Sequence, residues 1–168
     1  MKLILSFLCL VGLLFAGVIS EPLRAEEDLS AKESLGALAL GQKQDEVIKL
    51  LGKPVSKGKD VEWEAIGDWV QEWTFPDQGI MLNMASEKKG GRKTVFSITA
   101  TSNCTLATAR GIRIGSTEAA VRKAYGRQED KEQSAPGKSF VAGSIYGGVI
   151  FHFSGGKVSE IFIGAAAE

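Results

Sequence analysis

Gly41-Gln-Lys-Gln-Asp-Glu-Val47-Ile-Lys-Leu-Leu-Gly52 is echoed 74 positions later by Gly115-Ser-Thr-Glu-Ala-Ala-Val121-Arg-Lys-Ala-Tyr-Gly126. Both bounding glycines and the central valine keep register, and Leu38-Ala-Leu40 matches Ile112-Arg-Ile114 at the same offset. Self-similarity at a fixed offset is the mark of a unit written twice. Within each copy the spacing predicts a short helix. Ser116 or Thr117 can cap the second, Glu118 suits its positive end, and Gly126 offers a left-handed stop. Gly52 and Pro54 end the first. Val47, Leu50 and Leu51, with Val121, Ala124 and Tyr125, fall at i, i+3 and i+4, so each helix presents one apolar face.

Beyond each helix the period changes to alternation, the signature of half-buried strands. In the second copy, Phe140 to Tyr146 is expected to meet Val149 to Phe153 across a Gly147-Gly148 turn. Val158 to Ile163 follows a Gly155-Gly156-Lys157 loop with a glycine bulge. This register puts Val149, Phe151, Phe153, Ile161 and Ile163 on one face and Ile145, Ile150, His152, Glu160 and Phe162 on the other. The first copy offers Trp69 to Phe75, a Pro76-Asp77-Gln78-Gly79 turn, Ile80 to Met84, and Val95 to Ala100. Its expected inner face carries Trp73, Phe75, Ile80, Leu82, Met84, Phe96 and Ile98. Its outer face carries Glu72, Thr74, Met81, Asn83, Ser97 and Thr99 and is more polar. The predicted fold is α+β: two tandem repeats, residues 35–102 and 103–168, each a short helix followed by about three antiparallel strands, with the helices on one face of the sheet.

Upstream, Lys2 precedes an apolar run from Leu3 to Ile19, the pattern of a secretory signal peptide over residues 1–25, with cleavage after Ser20 or Ala25. The run is too short for a spanning helix and no basic cluster follows it, so no integral membrane span is expected after signal removal. Cys9 is preceded by Phe7 and Leu8 rather than by the small residues lipidation requires. Residues 26–34, within a Glu-rich stretch without a clear period, read as a flexible leader. The expected location is the periplasm or the medium.

Twenty basic and twenty acidic side chains balance to a formal charge of +0, which gives no field to attract a nucleic-acid backbone. One His and two Cys cannot fill a closed metal site, and no metal or cofactor is expected. Without Cys9, Cys104 is left alone, best buried, with an intermolecular bridge or a reactive thiol as the alternatives. Three S-x-x-K matches, at Ser56/Lys59, Ser86/Lys89 and Ser154/Lys157, sit in loops rather than on the helix turn that serine chemistry of that class needs. A Cys104–His152 dyad requires two distant segments to meet. No catalytic residue is assigned. The acids Asp60, Glu62, Glu64, Asp68 and Glu72 interleave with Trp63, Trp69 and Trp73 and read as a solvated face that discourages edge pairing. Lys88 to Lys93 reads as a charged, soluble hairpin tip.

The doubled G-x-[ST]-x-x-x-V-x-x-x-[LY]-G signature followed by strands resembles the unit of the tandem-repeat β-lactamase inhibitor proteins and of the small outer-membrane lipoproteins of the SmpA/OmlA type. Gly41, Val47, Gly52 and Pro54 match in the first copy, and Gly115, Thr117, Val121 and Gly126 in the second; Lys43 replaces the expected Ser or Thr. The resemblance implies an exported, non-enzymatic protein-binding module, inhibitor-like, that uses the open face of its sheet. An unanchored envelope structural or outer-membrane assembly factor is the alternative it implies. The partner-binding residues expected on that face are Ile145, Ile150, His152, Glu160 and Phe162, an apolar patch fitting an unidentified protein partner or self-association.

Overall fold

A computed structural model describes residues 28–166 of the chain; the expected signal peptide with its candidate cleavage positions, Cys9 and the start of the expected leader lie outside the described residues. The strands are β1 (Ser34–Leu35), β2 (Leu38–Ala39), β3 (Ser56–Lys57), β4 (Val61–Trp63), β5 (Asp68–Phe75), β6 (Ile80–Ser86), β7 (Thr94–Ala100), β8 (Ser139–Ser144), β9 (Gly147–Ser154) and β10 (Lys157–Gly164). Helix α1 (Gln44–Leu51) follows β2, and α2 (Glu118–Tyr125) follows β7. Eight strands form one antiparallel sheet. Its long strands run β5-β6-β7-β10-β9-β8, and β3 and β4 both pair with the outer edge of β5. β1 and β2 form a separate hairpin.

Alternation sets the inner face. Trp73, Phe75, Ile80, Leu82, Met84 and Ile98 from one half join Val149, Phe151, Phe153, Ile161 and Ile163 from the other in one core, closed by Val47 of α1 and Val121 of α2. Both helices therefore cover the same face, and the α+β architecture is as expected.

Each helix is tied to the third strand of its own half by the same bonds. Gly41 N–H donates to Val95 O at 2.8 Å, as Gly115 N–H does to Val158 O at 2.8 Å. Val95 N–H returns to Gln42 O, and Val158 N–H to Ser116 O. Gln44 N–H reaches Lys93 O, and Glu118 N–H reaches Gly156 O. The third strands then meet at the centre of the sheet, with Ile161 opposite Ala100 and Phe162 opposite Thr99.

The details differ from expectation at several points. Thr117 caps α2, its hydroxyl accepting from Ala120 N–H at 3.2 Å, but Gly126 is right-handed and the chain continues into a short 3-10 turn. Leu50 is 45% exposed; Ile48 packs on the core in its place. The β8–β9 turn is Ile145-Tyr146, because Ser144 pairs with Gly147 and Gly143 with Gly148. Val149 thus lies opposite Ala142 rather than Tyr146, four residues out of the expected register, and because that displacement is even the paired side chains of β8 and β9 stay on their expected faces. The β9–β10 turn is the two-residue Gly155-Gly156, both at positive φ, and the bulge falls between Val158 and Glu160. Phe96 is not inner: the ladder shifts between Asn83 and Met84, Val95 takes the core position, and Phe96 turns to the opposite face. Residues 28–34, assigned to the leader, are packed, with Leu29, Ser30 and Glu33 buried. Asp28 Oδ1 accepts from Ser30 N–H at 2.9 Å and from Ala31 N–H at 3.3 Å as the 3-10 turn begins.

Candidate functional site

Both helices lie on the inner face, so the outer face carries no described helix. The register aligns Thr74, Met81, Thr99, Phe162, Ile150 and Val141 in one row across six strands. Met81 and Phe162 are half-buried, while Thr99, Ile150 and Val141 are buried among their neighbours. His152 pairs with Glu160 one row along, Nε2 to Oε1 at 3.9 Å with both side chains well exposed, the geometry of a weak surface pair.

Ile150, His152, Glu160 and Phe162 thus share this face, whereas Ile145 sits in the β8–β9 turn, half-buried. Ile150 is only 9% exposed, flanked in the ladder by Val141 and Phe162, so the apolar surface on offer centres on Phe162. Sequence alternation missed its continuation into the first half. Met81 extends it across the β7–β10 seam, and Phe96 stands edge-on to Trp63, ring centroids 5.8 Å apart. Val70 and Ala85 lie on the same face and are buried. Hairpin patterns do not say which strands of different hairpins will meet, and that pairing is what joins the patches.

Both edges of the sheet are covered. β3 and β4 blunt one side. On the other, Asp130 N–H donates to Val141 O at 2.9 Å and Glu129 bridges Ala142. A partner finds faces here rather than a long free edge.

No candidate catalytic group of the sequence assembles with a second. Cys104 belongs to the inner core, across the sheet from His152; burial pushes its thiol up, outweighing a backbone hydrogen bond at Leu106. Neither Ser56, Ser86 nor Ser154 is helical. Ser86 does meet a lysine, accepting from Lys93 Nζ at 3.0 Å, but its hydroxyl donates to Lys88 O at 2.9 Å, away from that nitrogen. The described residues hold no cluster of three His, Cys, Asp or Glu able to bind a metal ion. Among them no helix is long and apolar enough to cross a membrane.

The basic tip and the acidic segment are not simply solvated. Lys93 is buried at 4% exposure and its ammonium lies 2.6 Å from Asp60 Oδ1. It also donates to Trp69 O at 3.3 Å. Asp60 Oδ2 accepts from Gly90 N–H at 2.6 Å. Burial alone raises the Asp60 carboxyl, but the Lys93 and Gly90 hydrogen bonds, with the Lys93 and Lys89 charges, more than offset it and hold it below the usual carboxylate range. A second buried network ties the leader to α2. Tyr125 Oη lies 3.2 Å from Glu33 Oε2 and 2.8 Å from Thr108 Oγ1, and Arg110 Nε reaches Glu33 Oε1 at 3.3 Å.

Set beside known proteins, the chain matches no family model, no curated protein and no solved structure.

Proposed function

We propose that this chain is an exported, non-enzymatic protein-binding module, one unit written twice, which engages a partner protein through the helix-free face of its sheet. What carries this reading is the row that crosses the central seam, in which Met81 and Phe162 flank Thr99 and leave apolar surface half-exposed beside the buried Ile150. A sheet face normally left to water has no use for a phenylalanine and a methionine at its middle unless something covers them. Both are already half-buried, so covering what remains of each contributes about 1 kcal/mol before the costs of association. The duplication is supported by the matched bonds between Gly41 or Gly115 and the third strand of each half. The proposal of a periplasmic or secreted site of action rests on the apolar run at residues 3–19 and on the resemblance drawn from the sequence.

The test is photo-crosslinking in the source cells, with the reactive side chain placed at Phe162 or Met81 and, as a control, at Lys123 on α2. A discrete protein adduct from the two sheet positions and none from Lys123 is expected. Adducts from Lys123 alone, or no adduct from either sheet position, refute the binding face. An adduct that stays with washed outer membrane would assign the module to envelope assembly instead of to a soluble partner.

A further inference from the structure

Beside α1 the first half contains a groove of about 230 Å³ that the outer-face reading does not use. Gln44, Lys57, Asp60, Trp73, Arg92 and Lys93 line it. Its acceptors are occupied. Both Asp60 oxygens are taken, by Lys93 Nζ and by Gly90 N–H, Gln44 Oε1 accepts from Lys93 N–H at 3.1 Å, and Gln71 Oε1 accepts from Trp73 Nε1 at 2.8 Å.

Its donors, by contrast, are largely unspent. Among the described residues Lys57 Nζ meets only the Trp73 ring face, 3.8 Å from the centroid. Arg92 makes one long contact, 3.5 Å to Asp45, with the two side chains 86% and 58% exposed, a pair of little worth in water. The Gln44 amide nitrogen has no acceptor among the described residues. Two cations, Lys57 and Arg92, thus remain beside a groove whose one lining carboxylate, Asp60, is already paired with Lys93. A lysine seated on an indole is held in place by the ring face, with no carboxylate among the described residues taking up its charge. A planar guanidinium alongside adds a fork that matches two oxygens at once.

We propose that this groove is a binding site for a small polyvalent oxyanion, a phosphate monoester or a polycarboxylate, held by Lys57, Arg92 and the Gln44 amide over the Trp73 floor. Its volume is below the range of about 300–1,000 Å³ that holds drug-sized ligands, so it takes a compact anionic group rather than an extended molecule. The Asp60–Lys93 pair sets the site's shape. It fixes the 87–93 loop against the sheet without offering the ligand a free acceptor.

The experiment is titration of the ¹⁵N-labelled full chain with inorganic phosphate and, separately, with citrate, each at constant ionic strength. The Trp73 indole N–H, the Gly90 and Gly91 amides and the Gln44 side-chain amide are followed. Saturable shifts at these signals with at least one probe are expected, weakened about tenfold in Lys57→Gln and in Arg92→Gln and unchanged in Lys131→Gln. Response to phosphate alone names a phosphate monoester, response to citrate alone a polycarboxylate, and response to both the shared oxyanion chemistry. Shifts that rise linearly with both probes to about 10 mM, or a Lys131→Gln variant weakened as much as Lys57→Gln, would overturn the site. Lys57 and Arg92 are exposed, and an unchanged urea-unfolding midpoint of the free variants establishes that the fold around the groove is intact.

Discussion

Breaking the Lys93–Asp60 pair tests the local architecture most sharply. Lys93→Met keeps a stem of similar length and removes an ammonium whose three hydrogens go to Asp60 Oδ1, Ser86 Oγ and Trp69 O. The Asp60 carboxylate is then left with Gly90 N–H alone. Its side chain is 13% exposed, enough for some water to reach it, so the cost should fall near the low end of the range for orphaning a buried charge, about 3 kcal/mol. Asp60→Ala strands an ammonium that is only 4% exposed, and a cost of about 4 kcal/mol is expected. With both charges gone no orphan remains. The double variant should lose about 4 kcal/mol, leaving a coupling of about 3 kcal/mol in the cycle. Urea unfolding followed by tryptophan fluorescence and by circular dichroism supplies the four stabilities. Single variants that each cost less than about 1 kcal/mol, or a double variant equal to the sum of the singles, would refute the idea that this pair anchors the 87–93 loop.

The same pair carries a pH signature. Because the folded Asp60 carboxyl is held below its usual range, its stabilisation is complete above about pH 4 and is lost as pH falls through the lower folded value; Asp60→Ala should flatten the acid limb of a stability–pH curve, and an unaltered limb would contradict it. Tyr125→Phe removes the hydroxyl between Glu33 and Thr108 and should cost about 1–3 kcal/mol in urea unfolding, an outcome within experimental error showing instead that Arg110 suffices for Glu33. Gly79 sits at φ +63, where an added Cβ falls on the Cys104 amide nitrogen and 2.8 Å from the Asn103 carbonyl carbon. Gly79→Ala should therefore cost about 3 kcal/mol or more. Gly67→Ala, at φ +71 in open space, should cost about 1 kcal/mol, and equal thermal midpoints for the two would refute the clash.

What the sequence disclosed was local. The helix at 44–51 announces itself through Val47 and its bounding glycines. The strand faces follow from alternation, because period two survives even a displaced turn. What it hid depended on partners distant in the chain. Gly147 and Gly148 look like a turn, yet neither has positive φ. An added Cβ on Gly148 would run into the Ala142 carbonyl and the Ser144 backbone, so this glycine permits close approach inside the strand rather than reversal. Alternation along β7 alone puts Phe96 inside, because a shift in the ladder depends on the strand opposite, which that alternation does not report. Lys93 and Asp60 are 33 positions apart. Within its own segment each looks like one more solvated charge, and only the folded sheet makes them a pair.

On the duplication reading, the two halves differ most where the second strand returns to the third. In the second half the connection is Gly155-Gly156, and Glu118 N–H closes on Gly156 O. In the first half the bond in the same place runs from Gln44 N–H to Lys93 O, but the chain reaches it through Glu87 to Lys93. Those residues bring in the Lys93 ammonium, Arg92 and the Gly90 amide, while β3 on the far edge supplies Lys57 and the link from β3 to β4 supplies Asp60. The groove therefore exists in one half because a longer return loop meets an extra pair of short strands there, while the helix-to-strand bonds are the same in both halves. The row that crosses the central seam draws on both halves equally and lies on the other face. An anion held by Lys57 and an outer-face partner at Phe162 would occupy opposite sides of one sheet, so neither blocks the other, and any coupling between them must pass through β5, β6 and β7.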